Sequence, residues 1–359
     1  MNIEELQLLM KELAQPSYRA VQVFEWLHQR FPNSDDGAFS FEAMYNLPKD
    51  LRAALEERCY ITPVSIADKL TAKDGTVKYL LALGKSPEVH IESVLMEYTH
   101  GRSVCVSTQA GCRMGCLFCA TAHGGLLRNL TPGEMCMQVY TAAAGQLLPT
   151  EKHVKLVAPA VKRAIRNVVI MGCGEPLDNF DATMRFIELI THPKGIGLSQ
   201  RHITLSTCGL VPKILELAQR RMQITLAVSL HGPDDVTRQA LMPTAKAYPI
   251  KTLIAACKEY TDITHRRITY EYALMKDIND SPAQARALAG LLKGHLCHVN
   301  LIPVNPVSVD GASGFAPTDV RGVNAFAEIL AQARITSTIR RTVGAEVNAA
   351  CGQLRSRKV

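Results

Sequence analysis

The stretch "GCRMGCLFCATAHGG", residues 111–125, carries Cys112, Cys116 and Cys119, spaced four and then three residues apart. Three thiolates on one loop of this size can surround a compact inorganic centre. A structural zinc site closes with four ligands, and the chain has no second Cys-x-x-Cys pair to supply them. A cubane iron–sulfur cluster can be held by three cysteines, which leaves one iron open to a small chelating ligand. Buried structural cysteines, or a zinc site completed by His123 or a distant residue, are the plainer alternatives. The C-x3-C-x2-C spacing, the turn-forming Gly111 and Gly115, and Phe118 before the last cysteine favour the cluster.

A loop of this kind needs a scaffold. From about residue 86, short apolar runs alternate with longer helical segments. Strands are expected over 89–96, 102–108, 166–172, 201–207, 223–230, 267–275, 298–304 and 336–341, and helices over about 131–147, 181–191, 211–220, 250–261, 281–293 and 318–333. Such alternation predicts a parallel sheet, barrel or doubly wound. Residues 1 to about 85 read as mainly helical. "SYRAVQVFEWLHQRF" has apolar residues at helical spacing, and "SFEAMYNLPKDLRAALEERC" suggests two short helices broken at Pro48. Residues 76–84, "TVKYLLALG", then turn strand-like. The stretch 307–317, "VSVDGASGFAP", is the most loop-like. In barrels the loops after strand C-termini hold the active site, and most of the unusual residues fall there.

The bulk properties set outer limits. The chain has 359 residues, 47% of them apolar, enough for one large folded domain and a smaller one. No apolar run approaches a membrane span. The acidic, amphipathic start "MNIEELQLLMKELAQ" lacks the form of a signal peptide, so a cytoplasmic address and no membrane partner are expected. Eleven irregularly spaced cysteines do not form a disulfide framework. A net charge of +7, with basic groups at 161–166, 219–221, 264–267, 339–341 and 355–358, is compatible with an RNA partner and equally with a solvated surface.

The cysteine spacing resembles that of the radical S-adenosylmethionine (SAM) enzymes. The resemblance implies a [4Fe-4S] cluster on Cys112, Cys116 and Cys119, with SAM chelated by the open iron and cleaved by one electron to a 5′-deoxyadenosyl radical. Other strand ends extend it. "VVIMGCGEPLDN" carries Gly174, Glu175 and Pro176, the type of turn that holds the SAM amino group in such barrels. "ITLSTCG", "LAVSLHGPDD" and "LIPVNP" offer Ser206, Ser229, Leu230, His231 and Asn305 for the SAM carboxylate and ribose. A lone Ser or His at a strand end is ordinarily a turn or core residue. It is the ordered set that carries the resemblance.

Nearly end to end, the chain is similar to the RlmN/Cfr family of radical-SAM methyltransferases that act on adenine in RNA. "SYRAVQVFEWLHQRF", "NLPKDLRAALEE", "HIESVLM", "SVCVSTQAGCRMGCLFCAT", "LRNLT", "MGCGEPLDN", "SLHGPDD", "RRITYEYALMKDIND" and "RRTVGAEVNAACGQLR" follow in family order. Cys173 departs from the family's usual Met, and "ATAHGGLLRN" from its usual loop. The family implies an α/β fold: a partial (β/α)6 barrel over 86–335, a small helical RNA-binding accessory domain over 1–85, and a C-terminal segment, 336–359, with a catalytic cysteine.

An sp2 carbon of adenine is a poor nucleophile, and the family's route round this assigns three further residues. Cys351 accepts a methyl group from SAM, loses a hydrogen atom from it, and adds the resulting methylene radical to the ring. Glu92 removes the ring proton. Cys105 attacks the Cys351 sulfur, freeing the RNA and leaving a disulfide, which requires the two Cα atoms within about 7 Å. Taken singly, Cys105 in "VCV" reads as a buried strand cysteine, Glu92 as a solvated edge carboxylate and Cys351 as a packed C-terminal cysteine. The remaining cysteines read as small hydrophobes. The resemblance further implies 23S ribosomal RNA and transfer RNA as substrates, an electron donor such as flavodoxin, and a monomer. Methylation at adenine C2 is the expected outcome, favoured over C8 by the paired Arg340 and Arg341 and by the complete N-terminal segment. A non-catalytic RNA-binding protein with a structural metal is the alternative of another class.

Overall fold

The computed structural model of the chain describes residues 1–31, 40–84, 89–145, 156–157, 164–307 and 314–358. Two helices open it, α1 (Ile3–Glu12) and α2 (Tyr18–Gln29), followed by the two-residue strand β1 (Arg30–Phe31) and α3 (Lys49–Arg58). A capping box starts α1: the Asn2 side chain accepts from the Glu5 amide, and the Glu5 carboxylate accepts from the Asn2 amide. Only one of the two helices expected around Pro48 forms. Residues 40–47 are turns, and α3 begins directly after Pro48, because a residue preceding proline is driven out of the helical region.

The helical character of the N-terminal part ends at Arg58. Strands β2 (Val64–Thr71) and β3 (Val77–Leu83) form a hairpin that joins the main sheet: β3 falls on the strand-like stretch expected at 76–84, whereas β2 lies where mainly helical character was expected. β2 is an exposed edge. Its charged Asp68 and Lys69 and a register shift between Ile66 and Asp68 suit an edge that must not pair further. β3 is buried on both faces.

The rest follows the predicted rhythm. β4 (Val89–Tyr98) and β5 (Gly101–Cys105) are antiparallel. A small hairpin of β6 (Gln109–Gly111) and β7 (Leu126–Asn129) brackets the cysteine loop. After α4 (Pro132–Ala144) and β8 (Leu156–Val157), which pairs with β1, the alternation runs β9 (Asn167–Ile170), α5 (Phe180–Thr191), β10 (Ile203–Thr207), α6 (Val211–Gln219), β11 (Thr225–Ser229), the short α7 (Asp235–Leu241), α8 (Ile250–Thr264), β12 (Ile268–Leu274), α9 (Pro282–Leu292), β13 (Cys297–Pro303), α10 (Val320–Gln332) and β14 (Ser337–Ile339). β15 (Ser356–Lys358) returns to pair with the first residues of β4.

The strand order is β14-β13-β12-β11-β10-β9-β5-β4-β3-β2, with β5 and β9 to β14 mutually parallel. β5, β9, β10, β11, β12 and β13 each lead into one large helix, and the sheet does not close on itself. This is the partial (β/α)6 barrel expected. β12 is buried along its whole length, as a strand covered on both faces should be. Leu6, Met10, Phe24, Leu51 and Leu55 of the N-terminal helices share one apolar core with the barrel. Polar contacts reinforce the junction: Arg185 pairs with Glu5 at 2.7 Å, and His28 Nδ1 meets the Tyr140 hydroxyl at 2.7 Å. Residues 161–163 of the basic group at 161–166, and 308–313 of the loop-like stretch, lie outside the described residues.

Candidate active site

The cysteine loop leaves the β6–β7 hairpin at its mouth. The Cys112 amide donates to the Gly125 carbonyl at 2.8 Å and closes it. Gly111 has φ +81°, and a Cβ there would lie 1.9 Å from the Gly125 oxygen, so only glycine fits. The far side of the loop is docked twice: the Leu117 amide donates to the Leu241 carbonyl at 3.0 Å, and the Ala120 amide to the Gly352 carbonyl at 2.7 Å. Cys112, Cys116 and Cys119 all line one cavity at the C-terminal edge of the parallel strands. Burial pushes the Cys112 thiol up to about 12 and raises Cys116 and Cys119 as well. The negative charge of neighbouring cysteines adds to this. Three thiols whose ionisation is opposed by burial and by one another suit a strongly cationic centre, which would reverse the balance. Among the described residues no three His, Cys, Asp or Glu side chains converge as a single-ion site. Three thiols on one cavity wall, with open space beside them, are a donor set that fits a cluster with one iron left free.

The cavity wall is built from the ends of successive strands, and Gly174, Glu175, Ser206, Ser229, His231 and Asn305 are all on it. Gly174 has φ +104° with Gln109 packed against it, so a Cβ would lie 2.6 Å from that side chain. The Glu175 carboxylate accepts from the Leu177 amide at 2.9 Å and the Cys208 amide at 2.7 Å, while its own amide donates to Gln109 Oε1 at 2.8 Å. It thereby brackets the ends of β9 and β10, and burial still raises its pKa. His231 is buried and has positive φ. The Ala273 amide donates to its Nδ1 at 2.9 Å, which leaves the ring proton on Nε2. Burial, aided by the charge of Arg238, lowers its pKa to about 3, so the ring is neutral. Leu230 does not line the cavity. Its side chain lies in the main core, and its amide donates to the Glu271 carbonyl at 2.9 Å.

A second cavity adjoins the first. Cys105 lines it together with Met96, Val343 and Leu354, and Cys351, Asn305, Met171, Ile302 and Arg340 line both. Cys351, the one exposed cysteine, thus stands at the junction. It is strapped there by its neighbours: Asn305 Nδ2 donates to the Cys351 carbonyl at 3.2 Å, Gln353 Nε2 to the Pro306 carbonyl at 3.1 Å, and Thr121 Oγ1 to the Leu354 carbonyl at 2.6 Å. Burial raises the Cys105 thiol strongly, and the nearby charges of Cys351 and Cys173 raise it further. None of the eleven cysteines is paired with another.

Glu92 lies apart, in a polar cavity shared with Lys78, Asn348, Gln353 and Arg355. Lys78 Nζ is 3.1 Å from its Oε1, and the Arg355 amide donates to its Oε2 at 2.9 Å. Sequence reasoning missed Lys78 and also Glu271, which is buried on the wall of the first cavity. There Asn300 Nδ2 donates to its Oε1 at 2.9 Å and Arg340 Nη1 lies 3.7 Å from its Oε2. A lone carboxylate in the otherwise apolar run "ITYEYAL" was the available signal for Glu271. The Arg340 guanidinium is held above its ordinary pKa, chiefly by its closeness to the Cys351 sulfur and also by Glu271.

A six-unit partial barrel whose first loop holds Cys-x3-Cys-x2-Cys, facing a cavity at the strand ends, defines a radical SAM enzyme. The Radical SAM superfamily description matches residues 106–288, and the ribosomal RNA large subunit methyltransferase N-terminal domain matches residues 1–61. A probable dual-specificity RNA methyltransferase RlmN from Clostridium tetani is 44% identical over 360 residues, covering 100% of this chain and 95% of its own length. One of the same description from Desulforamulus reducens is 46% identical over 359 residues, covering 99% and 95%. The crystal structure of a radical SAM methyltransferase from Sphaerobacter thermophilus is 42% identical, covers 99% of this chain and 98% of its own, and superposes with a TM-score of 0.87. The chain belongs to the RlmN family of radical SAM RNA methyltransferases. No helix among the described residues is long and apolar enough to cross a membrane.

Proposed function

We propose that this protein methylates C2 of adenosine in 23S ribosomal RNA, at the peptidyl-transferase centre, and in transfer RNA, at the adenosine 3′ of the anticodon. The observation that carries the reading is the position of Cys351 on two cavities at once. It shares one with Cys112, Cys116 and Cys119 and the other with Cys105.

Cys112, Cys116 and Cys119 would hold a [4Fe-4S] cluster. Gly174, Glu175, Ser206, Ser229, His231 and Asn305 would hold SAM beside it, with the neutral His231 offering an Nε2 proton. When bound, one SAM would supply a methyl group and a second SAM, cleaved by one electron from the cluster, the means to abstract hydrogen from it. The Cys351 sulfur accepts the methyl group and, one hydrogen poorer, carries it as a methylene to C2 of the ring. Glu92 would take the ring proton as the adduct's unpaired electron returns to the cluster, so that the electron spent on cleaving SAM is recovered. The Cys105 thiolate attacks the Cys351 sulfur, the carbon–sulfur bond breaks toward the RNA carbon, which takes a proton, and a Cys105–Cys351 disulfide remains. The N-terminal helices and the basic surface contact phosphates. The protein acts as a cytoplasmic monomer, with a flavodoxin-type electron donor.

The reading is tested by incubating anaerobically reconstituted enzyme with SAM, a reductant and unmodified RNA, then digesting the RNA to nucleosides. Mass spectrometry should find 2-methyladenosine. Finding 8-methyladenosine instead would overturn the assignment.

A further inference from the structure

Arg238, on the short helix α7, is 1% exposed. A guanidinium buried this deeply normally has its donors matched and its charge paired. Here Nε and Nη1 have no hydrogen-bond partner, and Nη2 reaches only the Cys208 carbonyl, at 3.4 Å. The acidic group nearest in sequence, Asp235, is engaged elsewhere: its Oδ1 accepts from the Ile250 amide at 2.6 Å. Burial lowers the guanidinium's pKa; of the groups near enough to oppose this, Asp235 is the one carboxylate, and the Cys208, Cys257 and Cys116 thiols are themselves pushed up by burial and held neutral. Cys208 and Cys116 line the cavity of the cysteine loop. The helix that carries Arg238 is also tied to that loop, since Leu241 at its end accepts from the Leu117 amide, and Pro243 just beyond packs on Gly115.

A buried cation with no carboxylate in ion-pair contact, bonded to a residue of the cavity wall, is costly unless an anion completes it. We infer that Arg238 is the built-in counter-charge of the iron–sulfur cluster and that it sets the cluster's reduction potential. The inference rests on the reading of the cysteine loop given above. Three thiolates and four sulfides leave the cluster anionic, and reduction adds a further negative charge. A fixed positive charge nearby stabilises the reduced form more than the oxidised one, and a dry interior screens that interaction little. It therefore makes the electron easier to accept.

The test compares the parent, Arg238→Lys and Arg238→Gln as full-length chains, reconstituted anaerobically with iron and sulfide. Iron and sulfide content, circular dichroism and the midpoint potential from an EPR-monitored titration are measured for each. The inference expects Arg238→Lys to keep a midpoint close to the parent's and Arg238→Gln to move it to a more negative value. Loss of the cluster in Arg238→Gln alone would also bear the inference out. An unchanged midpoint in a fully loaded Arg238→Gln overturns it. Equal shifts in both variants, or loss of the cluster in both, also overturn it, because shape rather than charge would then be at work. A parent chain that binds no iron and sulfide overturns the reading of the loop itself, and the inference with it.

Discussion

At the scale of single residues, each thiol is placed by a different constraint. Cys351 is exposed at the junction of two cavities, whereas Cys105 is buried in the second. Cys351→Ala should therefore abolish methyl transfer while iron and sulfide content stay at the parent's level, measured by chemical assay beside a methylation assay. Retained methylation would remove Cys351 from the pathway. Lys78 and Glu92 form a pair with side chains 11% and 10% exposed. Lys78→Met would strand a nearly buried carboxylate, and a loss of about 3–5 kcal/mol is expected in denaturant unfolding. A loss below 1 kcal/mol would show the pair to be a surface contact in solution. The Cys112, Cys116 and Cys119 loop was legible because its spacing is local. The Lys78–Glu92 pair was not, since it arises only when β3 and β4 align Leu80 with Glu92 and put Lys78 diagonally across from it.

At the scale of elements, the loop depends on its hairpin and the hairpin on glycine. Gly111→Ala should prevent cluster assembly, because a Cβ 1.9 Å from the Gly125 oxygen must force the closing strand aside. Full iron content in that variant would contradict the account of the loop. Helix α4 starts with a capping box in which Thr131 Oγ1 accepts from the Glu134 amide at 3.2 Å, and Arg128 holds the Glu134 carboxylate at 2.7 and 2.9 Å. Thr131→Ala is expected to cost about 1 kcal/mol in denaturant unfolding. The barrel strands were legible because their apolar runs are bounded and regularly spaced. β2 was not, because an exposed edge strand carries no apolar alternation to read. The helix expected over "SFEAMYNL" failed because proline follows within one turn.

At the scale of the whole molecule, the N-terminal helices and the barrel are joined through buried His28. Its pKa is lowered to about 3 by burial, with the charges of the chain's N-terminus and His192 adding to the effect. His231 is lowered to about 3 as well. In the unfolded chain each takes a proton near pH 6.5. Their contribution to stability is therefore complete above that pH and lost progressively as pH falls toward 3. His28→Gln should make the fall in melting temperature below pH 6.5 shallower than in the parent. Parallel curves would show that His28 is not held neutral.

The same scale holds the central claim, that the carbon passes from one cavity to the other on the Cys351 sulfur and leaves only when Cys105 attacks. The most direct measurement is mass spectrometry of Cys105→Ala after anaerobic turnover with SAM and RNA. The account predicts a stable protein–RNA adduct joining the peptide that contains Cys351, through one carbon, to adenine C2. Free methylated RNA at the parent's rate, with no adduct, would contradict it.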